Sequence, residues 1–332
     1  MSRGITAIDE AREVHQKWLA AMRAGDFEAA WQQTDRIEGP RRARVGGNAQ
    51  PGELRWDGSS FTGRRVLIRC LHGLGDTLQF LRFIPLLLKQ ASAVTLAIQP
   101  QLLPLFGASS EFGTVVNGWT DDSFPGHDVE IEIMELAYAL RVTEQSLPAE
   151  VPYLDVREIV SRSRWVAPRH PGKPRVGLVW KSSGWDAKRS LPASALAALA
   201  CDDIEYYSLQ QEVSCAELES VPLLIQDLSG ETREIVDAAS AMLWLDLIIT
   251  VDGMPAHLAG ALGRPVWVLL RRDADWRWMD HRFDSPWYPS MRLFRQTREY
   301  DWVSVVRSVR TALASFLPLT LSRRVSCPVE FA

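Results

Sequence analysis

Apolar positions along this chain change period several times. Over residues 9–37, Ala11, Val14, Trp18, Leu19 and Met22 recur at helical spacing, Gly25-Asp26 interrupts, and Phe27, Ala30 and Trp31 resume the pattern. This predicts a helical hairpin, its small alanines permitting close approach of the two helices. One such unit cannot bury its own apolar face, so it either docks on the following domain or is the remnant of an array. From about residue 39 to 63 a Gly-, Arg- and Pro-rich stretch shows no sustained period and reads as a connector.

From Arg64 the grammar becomes strand, turn, helix. "RVLIRC" is a short β-branched run, "HGLGD" a turn and "TLQFLRFIPLLLKQ" helical; "AVTLAIQ" is a second strand, "PQLLPLF" a short helix, and "DVEIEIMELAYAL" opens with strand-like alternation. The Pro-rich "APRHPGKPR" separates this lobe from a second pass of the same kind. There "VGLVW", "IEYYSLQ", "LDLIITVD" and "PVWVLL" read as strands, interleaved with the helical "LPASALAALA", "TREIVDAASAML" and "PAHLAGALG". Alternating strands and helices imply right-handed βαβ units on a parallel sheet. A last helical stretch, "DWVSVVRSVRTALASFL", closes the fold. The expected organisation is a hairpin and connector over 1–60, a first α/β lobe over 61–168, a second over 169–317 and a tail over 318–332.

Composition narrows the classes. At 332 residues and 46% hydrophobic content the chain has enough apolar material for two cores. A net charge of -4 gives no basic footprint for a phosphate backbone, so nucleic acid is not expected as a partner. Cys70, Cys201, Cys215 and Cys327 are scattered, without the spacing of a disulfide framework or zinc site. No apolar run approaches the roughly 18 residues of a membrane span, and the N-terminus lacks a signal-peptide core. A cytoplasmic protein with reduced thiols is expected. Eight of the 13 tryptophans lie from Trp180 onward and are expected mainly in packing.

In parallel sheets, ligands gather where strands end and helices begin. Three such junctions carry unusual residues. Gly73 and Gly75 permit a sharp turn and close backbone approach, with Asp76 at a helix start as either a ligand-facing carboxylate or a helix cap. After "VGLVW", Ser182, Ser183 and Gly184 form a small polar loop with Lys181, Lys188 and Arg189 nearby, a set suited to a diphosphate or simply a solvated charge cluster. After "LIITV" come Asp252, Gly253, Met254 and Pro255. His257 follows among small residues, as a ligand contact or a structural histidine. No P-loop, nucleophile elbow or complete dinucleotide fingerprint is present.

Taken in order, "LIRCLHGLGDTLQFLRFIPLL", "VGLVWKSSGWDAKRSLP", "YYSLQ", "DLIITVDGMPAHLAGALGRPVWVLL" and "DWRWMDHRFDSPWYPSMRLFRQ" resemble the heptosyltransferase-like GT-B glycosyltransferases of the family 9 type. They resemble in particular the bacterial forms joined to tetratricopeptide repeats, to which the hairpin segment "LAAMRAGDFEAAW" is also similar. The resemblance implies two Rossmann-like, doubly wound parallel-sheet lobes facing a cleft, the acceptor on the first, a nucleotide-sugar donor on the second, and a final helix crossing back. It implies an inverting, metal-independent transfer needing no cofactor beyond the donor. Asp76 would be the general base, beside the turn of Gly73 and Gly75. Gly73, Gly75, Ser182, Ser183, Lys188, Arg189, Gln210, Asp252, Gly253, Met254 and His257 would hold the donor. The acceptor would be a glycan, a lipid-linked glycan or a protein side chain, with a protein partner on the hairpin.

This chain departs from the family at two places. Gly253 stands where a threonine is usual, and the loop from Ser182 to Asp186 lacks the usual Asn-Pro and His. The alternative reading is a catalytically silent relative acting as a binding or scaffold protein.

Overall fold

A computed structural model of the chain describes residues 2–45, 55–106, 111–120, 124–168, 172–182 and 184–326. The chain divides into two compact units, Met1–Glu150 with Asp275–Arg282, and Val151–Ala274 with Phe283–Ala332. The division falls after Glu150 rather than at the expected 168.

The first unit begins with helices α1 (Ser2–Ala24) and α2 (Phe27–Val45). Gly25 makes the turn at φ +78°, a left-handed conformation that glycine adopts without strain. Asp26 caps the second helix by accepting from the Ala29 N–H at 2.9 Å. Of the two fates open to a lone hairpin, docking is the one observed. Trp31 donates its Nε1–H to the Val142 carbonyl at 2.7 Å and packs on Tyr138, while Arg141 forms an ion pair with Asp35.

Strands β1 (Arg65–Arg69), β2 (Ala93–Ile98), β3 (Thr114–Asn117) and β4 (Val129–Glu132) form a parallel sheet in the order β3-β2-β1-β4. Helix α3 (Leu74–Phe80) follows β1 and buries Leu78 and Phe80. The apolar stretch after it is helical only in pieces, a 3-10 turn over Leu81–Phe83 and a short α-helix over Ile84–Leu88 with Pro85 in its first turn.

The second unit holds strands β5 (Arg175–Val179), β6 (Glu205–Ser208), β7 (Ile225–Asp227), β8 (Leu247–Val251), β9 (Val266–Leu270) and β10 (Met291–Arg295). All are parallel, in the order β10-β9-β8-β5-β6-β7, the doubly wound order of dinucleotide-binding folds. β8 and β9 are buried at every position, as strands covered on both faces must be. "LPASALAALA" is a 3-10 segment over Ala193–Leu199 rather than an α-helix. The segment 151–168 belongs here: Tyr153 N–H donates to the Ala261 carbonyl, and Ser163 Oγ donates to Asp237.

The described part of the final helix, Trp302–Ser326, packs within this second unit. Trp302, Val305, Val306, Val309 and Leu313 share a core with Leu191, Leu196 and Trp267. The segment that joins the first unit from late in the chain is Asp275–Arg282, not the final helix.

Gly260 marks a close approach of the helix Met254–Ala261 to its neighbours. A Cβ there would lie 2.6 Å from both Met291 Cε and Tyr288 Cδ1. Gly260→Ala is therefore expected to lower stability by about 1–3 kcal/mol, read as a lower urea midpoint with unchanged slope.

Candidate functional site

The first unit presents its site at the C-terminal ends of β1 and β4. Gly73 precedes α3 with φ -70° and ψ 157°, and neither Gly73 nor Gly75 has positive φ. The left-handed freedom of glycine is thus not what this junction uses. Space, not conformation, is what Gly73 supplies, since a Cβ would come within 3.1 Å of Asp76 Oδ2. Asp76 is the third helical residue. Its Oδ2 accepts from the Gly73 N–H at 3.0 Å, one half of a capping box.

The other oxygen, Oδ1, lies 2.8 Å from Nη1 of Arg277, whose Nε is 3.0 Å from Asp275. Asp76 retains 20% exposure and Arg277 11%, so the carboxylate is fixed yet reachable. Arg277 lies in the late segment Asp275–Arg282, two hundred positions away in sequence. Its quoted context "DWRW" gave no sign of that pairing, because no local spacing encodes so distant a contact.

The loop between β1 and α3 is pinned from below. Gln99 donates Nε2–H to the His72 carbonyl at 2.9 Å, and Thr77 donates its hydroxyl to Gln99 Oε1 at 3.0 Å. Burial pushes the Cys70 thiol up to about 12, which makes it a packing residue rather than a nucleophile. Glu132 ends β4 beside this loop. Its Oε2 accepts from the Met134 N–H at 2.7 Å, while Oε1 is buried 4.0 Å from His72 Nε2. Burial raises the Glu132 carboxyl to about 7, only partly offset by the Met134 N–H and the His72 ring.

In the second unit the candidate residues converge on one sheet edge. Lys181 and Ser182 follow β5, Gln210 follows β6, Asp252 and Gly253 follow β8, and Arg271 follows β9. β5 and β8 are the neighbours at which the strand order reverses, where a crevice opens in such sheets. Gln210 is buried. Its Oε1 accepts from the N–H groups of Trp180 at 3.0 Å and Lys181 at 2.8 Å, and its Nε2 donates to the Gln211 carbonyl. Its amide therefore shapes the loop after β5. Ser190 Oγ accepts from the Ser182 N–H at 3.0 Å and closes that loop.

Arg189 lies 3.7 Å from Asp186 and 3.9 Å from Asp252, and Arg271 lies 3.1 Å from Asp186. Lys181 pairs with Glu217 at 2.8 Å, and Lys188 is exposed. Ser183 lies outside the described residues. Gly253 has φ 174°, extended backbone open to any residue, and a Cβ there would meet only Pro255 Cδ at 3.7 Å and Ser182 Oγ at 3.9 Å. There is room for a side chain where the family carries threonine, and the Ser182 hydroxyl borders that space.

Met254, half-buried, opens the helix Met254–Ala261. His257 in the same helix is 1% exposed and shares a hydrogen bond of 3.1 Å between Nδ1 and the Tyr288 hydroxyl. It is held as a structural histidine would be. Sequence reasoning did not single out Arg271, Asp186, Arg277 or Tyr288. Arg271 had a usable signal, since it directly follows the apolar strand "VWVLL". Among the described residues, no group of three or more His, Cys, Asp or Glu is placed to hold a metal ion.

A stability consequence follows from Glu132. A carboxyl raised from 4.5 to about 7 binds its proton more tightly folded than unfolded. The Glu132 contribution to stability is then fully present in acid, is lost as pH rises through that interval and is level above it, a change of roughly 3 kcal/mol at most. Glu132→Gln is expected to remove this slope in urea unfolding measured from pH 4 to 8.

No family model matches the chain. Protein FlbA of Caulobacter vibrioides is similar to it, at 25% identity over 299 residues, 80% of this chain and 49% of that protein. The chain thus spans about half the length of this curated relative. Among solved structures, a glycosyl transferase family 9 protein from Veillonella parvula aligns with TM-score 0.53 and 12% identity, over 80% of this chain and 99% of that one. The E. coli ADP-heptose lps heptosyltransferase II aligns with TM-score 0.52 and 12% identity, over 78% of this chain and 99% of that one. The protein has the two-lobed α/β fold of the family 9 glycosyltransferases.

Proposed function

We propose that the protein is an inverting, metal-independent glycosyltransferase that moves a sugar from a nucleotide-sugar donor to an acceptor hydroxyl. The observation that carries the reading is the fixed, partly exposed carboxylate of Asp76 in the first turn of α3, oriented by the Gly73 N–H and Arg277. In this reading Asp76 takes the proton of the acceptor hydroxyl as its oxygen bonds to the anomeric carbon. The bond from that carbon to the donor diphosphate breaks, and the electron pair leaves on the nucleoside diphosphate. Arg189, with Lys188 beside it, meets the leaving charge, so the proposal needs neither metal nor further cofactor. Ser182, Ser183, Asp252, Gly253 and Met254 border the donor, while Gln210 and His257 support the site through the loop after β5 and through Tyr288.

The acceptor is proposed to be a glycan, a lipid-linked glycan or a protein side chain. No helix among the described residues is long and apolar enough to cross a membrane. A cytoplasmic location, and a protein partner on the helical hairpin, belong to the proposal. The competing reading, a catalytically silent binding protein, is favoured by the missing hydroxyl at Gly253. Turnover of any donor decides against it.

A thermal-shift panel of ADP-, GDP-, UDP- and dTDP-sugars is expected to find one donor that raises the melting temperature. With that donor, Asp76→Asn should lower kcat by about 100-fold or more and leave donor affinity in place. Unchanged transfer by this variant rules out Asp76 as the base. Arg277→Ala is expected to lower kcat by roughly tenfold with little change in donor KM, through misorientation of Asp76. Arg189→Ala should weaken nucleoside diphosphate binding by about tenfold in calorimetry.

A further inference from the structure

The arginines at the C-terminal edge of the second sheet already hold an anion, one supplied by the chain itself. Asp186 departs from helical geometry within the 3-10 segment Gly184–Arg189, at φ -138° and ψ 80°. Its carboxylate lies between two guanidinium groups. Arg271 Nη1 donates to it, 3.1 Å from one oxygen and 3.3 Å from the other, and Arg189 Nε is 3.7 Å away.

The fit is incomplete. Arg189 also approaches Asp252, at 3.9 Å, so it is shared between two carboxylates. Nε of Arg271 is buried with no hydrogen-bond partner among the described residues. A planar guanidinium presents five donors, and one short carboxylate engages few of them. A diphosphate brings more oxygens and more charge to the same two groups.

We propose that Arg271 is a second cation of the anion site, alongside Arg189, and that Asp186 is its resident counter-ion, displaced when a diphosphate binds. Asp186 is 16% exposed and lies at the non-helical kink of Gly184–Arg189, outside every strand, so its carboxylate can turn to solvent without unpairing the sheet. With Asp186 seated, the positive field of the pair is quenched. Simple monovalent anions gain little there, and a ligand carrying two linked phosphates gains most. The inference rests on the donor-lobe reading above for the identity of the ligand, but not for the exchange itself.

The test is calorimetric titration of the full chain with inorganic pyrophosphate, and separately with ADP, GDP and UDP. Asp186→Asn is expected to bind pyrophosphate about tenfold more tightly, and Arg271→Gln about tenfold more weakly. In the double variant the gain from Asp186→Asn should shrink to about twofold or less, because one of the two released cations is gone. Arg271→Lys and Asp186→Ala provide second versions, and thermal melts show that each variant is folded.

Unchanged or weaker pyrophosphate binding by both Asp186 variants overturns the exchange. If a nucleoside diphosphate binds with an affinity indifferent to Asp186 and Arg271, the donor-lobe reading survives and this inference fails. The opposite pattern, pyrophosphate following the variants while no nucleotide binds, supports the anion exchange and defeats the nucleotide assignment. Absence of binding by every variant overturns both.

Discussion

Parallel strand pairing at β5 is the constraint on which the second unit depends. β5 is bonded to β6 on one side and β8 on the other, so chain connections leave it in opposite directions. The loops after β5 and β8 are consequently adjacent but not covered by a crossing helix. Ser182, Lys188, Arg189, Gln210, Asp252 and Gly253 sit on those loops or just past the flanking strands, and Met254 and His257 lie in the helix that follows β8. Arg175 and Asp246 anchor the opposite, N-terminal end, with an ion pair at 3.1 Å and a hydrogen bond from the Arg175 N–H to Asp246 at 2.7 Å. The irregular loops at the other end are where the donor-side candidates gather.

That edge is built largely from interactions within the chain. Gln210 carries two backbone N–H groups, Asp186 answers two arginines, and Glu217 answers Lys181. Unpaired charge at a strand end is unfavourable, so a site for an anion must be held open by groups that can yield. The first unit solves a different problem. A carboxylate there is kept in one orientation by a backbone N–H and a guanidinium, and the glycine before the helix leaves room for it.

Much of the fold was legible in the sequence, for reasons that also explain the gaps. β1, β2, β5, β6, β8 and β9 are apolar or β-branched runs bounded by turns, and β4 shows alternation as "VEIE". β3 and β7 are short edge strands whose "TVVN" and "IQD" carry too few apolar positions to stand out, and β10 is interrupted by Arg292 and flanked by charge. The 3-10 character of Ala193–Leu199 is invisible to an apolar count, which cannot distinguish it from a turn of α-helix. The unit boundary was misplaced because the Pro-rich segment is a conspicuous composition change, whereas 151–168 is assigned by contacts with Ala261 and Asp237 far along the chain. The roles of individual residues followed the same division. Asp76 and Arg189 stand at recognisable junctions, while Arg277, which pairs with Asp76, and Arg271, which shares Asp186 with Arg189, are brought in by folding.

The late segment Asp275–Arg282 changes how the helical hairpin should be regarded. Trp276 meets Trp18 edge-on at 5.5 Å, the Asp280 N–H donates to the Arg23 carbonyl at 2.8 Å, and Gly25 lies under the Met279 side chain. Arg277 is therefore mounted on a loop whose floor is the hairpin itself. The repeat-like helices are not an accessory module appended to an enzyme-like body, because they form the bedding for the residue that aims Asp76. Shortening the chain to its two sheets would take away part of the site's own masonry.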